Sequence, residues 1–119
     1  MDMRAVVVDD DPQVLSLASR WLKSAGCESV MSSSCFADAR VQIKVFEPSI
    51  LIADVRLGDF NGIQLGLLAR RIRTDVRVLI ISGWDDSVLR RETEQFGAAF
   101  LQKPLRAEAV LSAVGLARV

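Results

Sequence analysis

Ala5-Val6-Val7-Val8-Asp9-Asp10-Asp11-Pro12 decides the fold: a short β-branched run that ends in three aspartates and a proline. An unbroken apolar run of this length reads as a strand buried on both faces. A second run of the same kind, Ile50-Leu51-Ile52-Ala53, ends in Asp54. Both deliver carboxylates to a strand's exit, which is where open α/β sheets bind ligands. Negative charge concentrated there suits a hard cation.

Outward from these runs the chain alternates strand and helix with short connections. The first strand is predicted over 4–9, and Asp11-Pro12 opens a helix, with proline pre-set for the first turn. Val14, Leu17, Ala18, Trp21, Leu22 and Ala25 recur on one helical face, and Gly26 is the stop. Further strands are expected over 27–31, 49–53, 76–81 and 98–102. The intervening helices are expected over 34–46, 62–73 and 86–96, with a last one over 106–117. Glu47-Pro48 closes the second helix. Five strands each followed by a helix imply an α/β fold: a doubly wound, five-stranded parallel sheet covered on both faces.

Composition bounds the function. The 119 residues predict one domain over 1–119, large enough to bury a core. Lys+Arg and Asp+Glu number fifteen each, so no net charge draws the chain to nucleic acid or anionic membrane. The lack of a membrane-length apolar stretch or signal pattern points to a cytoplasmic protein. Cys27 and Cys35 form no CxxC pair and the chain has no histidine. They are expected to be two buried thiols in a reducing compartment.

Four strings carry a resemblance: Val7-Val8-Asp9-Asp10, Leu51-Ile52-Ala53-Asp54 continuing to Gly62, Ile81-Ser82-Gly83, and Lys103-Pro104. In this order the chain resembles the receiver domain of bacterial two-component response regulators, the CheY-like superfamily. The resemblance implies the flavodoxin-like strand order 2-1-3-4-5 and Mg²⁺-dependent phosphorelay. The donor would be a sensor histidine kinase or a histidine phosphotransfer protein, and the phosphoacceptor Asp54. It assigns Mg²⁺ (or Mn²⁺) to Asp10 directly, Asp9 through water, Asp54, and the Arg56 backbone carbonyl. Lys103 and Ser82 would contact the phosphoryl group. Ser82 and Phe100 would form the switch, read out on the face of the fourth helix, fifth strand and fifth helix. Such a chain is a signalling phosphoacceptor that catalyses only its own phosphorylation and dephosphorylation, rather than a conventional enzyme.

Each residue also has a plainer reading: Asp11 as a helix cap, which is adopted here, Lys103 as a solvated lysine, Ser82 as a turn residue and Phe100 as core. Phe100 stands where tyrosine is common in the family, which biases the ring inward. Arg56 and Trp84, each two residues past a site residue, are expected to flank the pocket mouth and shield it from water. Gly58 occupies a loop position often held by proline.

The fourth helix has few apolar anchors beyond Val88, Leu89 and Phe96, and so can shift at low cost. In the last helix Ala107, Val110, Leu111 and Val114 make one apolar stripe. Ala109, Ala113 and Leu116 make a second, which is either an alanine-rich surface or a face for a homodimer or output domain. The arginines at 70, 71, 73, 90 and 91 read as solvated helix faces. In the family, the kinase docks mainly on the first helix and the loop after the fifth strand. Two other functions stay open. Asp9-x-Asp11 resembles the opening of haloacid-dehalogenase-like phosphatases, which would make Asp9 the nucleophile. A pseudo-receiver would bind partners without phosphorylation. No G-x-G-x-x-G or P-loop string supports a nucleotide site.

Overall fold

The structure, a computed structural model, describes residues 3–116. Its elements follow the alternation in the sequence: β1 (Arg4–Val8), α1 (Pro12–Ser24), β2 (Ser29–Ser33), α2 (Phe36–Phe46) and β3 (Ile50–Asp54). A small ribbon of β4 (Arg56–Leu57) and β5 (Phe60–Asn61) comes next. The chain then forms α3 (Gly62–Ile72), β6 (Arg77–Ser82), α4 (Ser87–Gln95), β7 (Ala99–Gln102) and α5 (Ala107–Ala113).

The five main strands are parallel in the order β2-β1-β3-β6-β7, the doubly wound order 2-1-3-4-5 once the ribbon is set aside. Alternate strand residues serve two cores. Val6, Val8, Leu51, Ala53, Val78 and Ile80 meet α2 and α3 on one face. Ala5, Val7, Ile50, Ile52, Leu79 and Ile81 meet α1 and α5 on the other. All five residues of β3 are buried, as expected of a central strand covered on both faces.

Helix ends explain why several boundaries fall where they do. After α1, the Gly26 and Cys27 N–H groups bond back to the Lys23 and Leu22 carbonyls. After α5, Gly115 and Leu116 repeat the pattern on Ser112 and Leu111. Both glycines have positive φ, 97° and 77°, which a side chain would resist. This stop ends α5 at Ala113, short of the expected 106–117, and position 117 lies outside the described residues. β2 likewise starts two residues later than expected, at Ser29, because Cys27 closes the end of α1.

Four expectations need correction. Cys27 is buried, but Cys35 is exposed as the N-cap of α2, outside either core. Val88 is 64% exposed and does not anchor α4, whose one buried residue is Thr93. Ala113 and Leu116 pack on the second core, so two of the three residues of the second α5 stripe are not left over. The arginines are not all merely solvated: Arg70 donates to the Phe96 carbonyl at 2.8 Å, and Arg90 covers the Phe100 ring at 4.7 Å.

Candidate functional site

Strand register builds the site. Val8 pairs with Ala53, so the next residues, Asp9 and Asp54, leave adjacent strands side by side. Asp10 follows, and single carboxylate oxygens of Asp9, Asp10 and Asp54 lie within 4.8 Å of one another. Asp9 and Asp54 are buried, while Asp10 is exposed. Lys103 arrives from the exit of β7, beyond the intervening strand β6. Its four-carbon stem spans that strand, and Nζ reaches Asp54 Oδ2 at 2.8 Å and Asp9 Oδ2 at 2.9 Å.

Backbone groups fix the carboxylates. Asp54 Oδ1 accepts the Arg56 N–H at 2.9 Å, and Asp9 Oδ1 accepts the Asp11 N–H at 2.9 Å. Asp11 itself caps α1, accepting the Gln13 N–H at 2.9 Å. Ser82 is buried at the end of β6, where its hydroxyl accepts the Trp84 N–H at 3.1 Å. The Lys103 N–H bonds the Ser82 carbonyl at 2.7 Å, which locks the lysine's backbone to the serine's strand. Gly62 opens α3 directly against β3, and a Cβ there would overlap the Asp54 carbonyl oxygen.

Charge in this pocket is unevenly balanced. Burial pushes the Asp9 carboxyl up to about 6, and the Asp54 charge adds to the rise. The Asp11 N–H and Lys103 oppose it. Burial alone would lower Lys103, but its bonds to Asp54 and Asp9 and their charges leave it above its ordinary value. One ammonium therefore serves two carboxylates beside a third. An all-oxygen donor set with surplus negative charge fits a hard divalent cation.

The family model described as the response regulator receiver domain matches residues 5–115. The chain belongs to that family. Among curated relatives, this receiver is 30% identical over 112 residues to the response regulator protein TodT of Pseudomonas putida. That match covers 91% of this chain and 48% of TodT. It is 27% identical over 114 residues to the acid tolerance regulatory protein ActR of Sinorhizobium medicae, covering 95% of this chain and 58% of ActR. The chain thus spans about half the length of the curated relatives it matches.

Solved structures agree on the fold. A Burkholderia pseudomallei response regulator, described with a phosphorylated aspartic acid, a calcium ion and citrate, matches with a TM-score of 0.85 at 23% identity. The match covers 95% of this chain and 66% of that one. The Vibrio cholerae chemotaxis protein CheY4 matches with a TM-score of 0.83 at 19% identity, covering 97% and 98% of the two chains.

The remaining sequence-predicted residues lie around this centre. Arg56 begins β4 next to Asp54, and its guanidinium sits 5.8 Å from the centre of the Trp84 ring. Phe100 is buried within β7 beneath Arg90, paired in register with Ile80 rather than among the carboxylates. The sequence reading missed the β4–β5 ribbon, with Phe60 stacked on Phe36 at 4.5 Å. Its signal was Gly58-Asp59 between Leu57 and Phe60, a two-residue turn that the positive φ of Gly58 permits.

Proposed function

We propose that Asp54 accepts a phosphoryl group from the phosphohistidine of a sensor histidine kinase or histidine phosphotransfer protein. The observation that carries this reading is the convergence of the Asp9, Asp10 and Asp54 carboxylates around a shared Lys103. An Asp54 oxygen forms the new bond to phosphorus as the N–P bond of the donor breaks, and the departing imidazole takes the electron pair. Asp9, Asp10, Asp54 and the Arg56 backbone carbonyl would hold Mg²⁺ (or Mn²⁺). Bound there, the cation would neutralise and align the phosphoryl oxygens. Lys103 adds a compact positive charge at Asp54 Oδ2. The Ser82 hydroxyl accepts from Trp84, which leaves its own proton to donate to a phosphoryl oxygen. The phosphorylated aspartic acid of the Burkholderia pseudomallei regulator supports the same chemistry here.

Residues 1–119 act as one cytoplasmic receiver domain in this reading. Ser82 and Phe100 carry the change to the α4–β7–α5 face, where a second copy or an output domain reads it. The donor docks on the groove of about 440 Å³ that α1 forms with Lys103, Pro104 and Leu105. Val14, Leu17 and Trp21 line it, which accounts for the outer part of the α1 stripe. The phosphatase alternative has no support in this geometry. Asp11, its required general acid, spends its carboxylate on the α1 cap, and Asp9 is buried against Lys103.

Intact-mass analysis after incubation with acetyl phosphate and Mg²⁺, followed by peptide mapping, tests the proposal. A labile adduct on Asp54 that needs Mg²⁺ is expected. An adduct on Asp9 would restore the phosphatase reading, and no adduct from either acetyl phosphate or a phosphorylated kinase would leave a pseudo-receiver.

A further inference from the structure

Arg40 and Lys44 on α2 and Arg71 on α3 line one groove of about 450 Å³, and every titratable residue in its wall is a cation. An adjoining groove shares Gln64 and Arg71 and extends the surface along α3 past Leu67. The whole chain has no net charge, so this is local segregation of charge. Among the described residues none of Arg40, Lys44 and Arg71 makes an ion pair. Arg70 differs, since its guanidinium is given to the Phe96 and Gly97 carbonyls at the end of α4.

The groove also has an apolar wall. Phe60 stacks on Phe36 with ring planes 13° apart, yet Phe60 remains 53% exposed. An aromatic face left open beside three unpaired cations is matched by a ligand that brings carboxylates and one apolar group together. We propose that the α2–α3 groove docks a short acidic segment of a partner polypeptide. Its carboxylates lie on Arg40, Lys44 and Arg71, and an apolar side chain rests on Phe60. The acids near the groove favour a short segment over a nucleic acid. Asp59 directly precedes Phe60, and the ribbon carrying Phe60 begins two residues after Asp54. A long polyanion continuing past Phe60 would therefore meet negative charge, whereas a short segment stays among the cations.

The probe is a fluorescein-labelled peptide of glutamates flanking one phenylalanine, titrated by anisotropy with amide chemical shifts mapped in parallel. Shifts are expected to centre on Phe36, Arg40, Phe60 and Arg71, and binding is expected to weaken with salt. Arg40→Glu combined with Arg71→Glu should weaken binding about tenfold. Phe60→Ser tests the apolar anchor separately and should weaken binding in both high and low salt. The melting temperature should stay at the parent value in the charge-reversed variant, whose two side chains are exposed, whereas Phe60→Ser gives up the stack on Phe36 and should lower it slightly. Three outcomes would overturn the proposal: parent-like binding by the charge-reversed variant, shifts centred away from the groove, or tighter binding of a single-stranded oligonucleotide of equal charge.

Discussion

The Arg56 guanidinium lies over the Trp84 ring, 5.8 Å from its centre, and joins the start of β4 to the loop after β6. Each partner also gives its backbone N–H to a site side chain, Arg56 to Asp54 and Trp84 to Ser82. We propose that the pair shields a phosphorylated Asp54 from water, since both backbones are bonded to side chains of the proposed site. A cation–π contact at an exposed site contributes roughly 0.5–1 kcal/mol, so Arg56→Ala or Trp84→Ala should speed hydrolysis of the adduct about two- to fivefold. Decay of the phosphoryl mass shift with time gives the rate, and an unchanged half-life in both variants would remove the shielding role.

Asp9 sets a pH dependence of unusual sign. Its carboxyl is raised from 3.8 to about 6, so the folded chain holds this proton where the unfolded chain has released it. The contribution to stability is complete below pH 3.8 and is lost as pH rises through 6, the reverse of a salt-bridged carboxylate. Asp9→Asn should remove the trend. In chelator, the stability difference between variant and parent should grow in the variant's favour by about 1–3 kcal/mol between pH 4 and pH 7.5. Urea denaturation at the two pH values measures it.

Divalent metal should stabilise the fold through the same carboxylates. At a free concentration a hundredfold above its dissociation constant, Mg²⁺ adds about 2.7 kcal/mol. Asp10→Asn should raise the melting temperature of the metal-free protein by about 2–4 °C and abolish the Mg²⁺ response. A parent protein whose melting is indifferent to millimolar Mg²⁺ would show that the three carboxylates do not form a cation site.

Gly62 is a packing constraint on the site rather than a turn. With any Cβ the start of α3 must move off the Asp54 carbonyl. Gly62→Ala should destabilise the protein by about 1–3 kcal/mol and lower phosphorylation of Asp54. Denaturant titration with acetyl phosphate labelling checks both, and an Ala variant with parental stability and labelling would mean that α3 yields freely.

Much of this was legible in the chain. The apolar runs at 5–8 and 50–53 are strands because nothing in them alternates, and both cores draw on them. Asp11 was readable as a cap from the proline beside it, and α1 does begin there. What escaped depended on contacts between distant residues. A cysteine gives no periodic signal, so the exposed Cys35 could not be told from the buried Cys27. The anchoring of Ala113 and Leu116 depends on how the Gly115 stop folds the chain back, which helical spacing alone does not reveal. Of the site, the four strand exits could be named from the sequence. The sharing of Lys103 between Asp9 and Asp54 needed the strand register and the reach across β6.

β3 lies between two strands on either side, with all five of its residues buried. Amides in such a strand exchange with solvent only when the whole domain opens, so the backbone beneath Asp54 keeps the slowest clock in the molecule. Side chains and loops around it rearrange in nanoseconds to milliseconds. In the proposed phosphotransfer the aspartate is thus a fixed landmark on the timescale of an encounter, and the arriving donor group would do the adjusting.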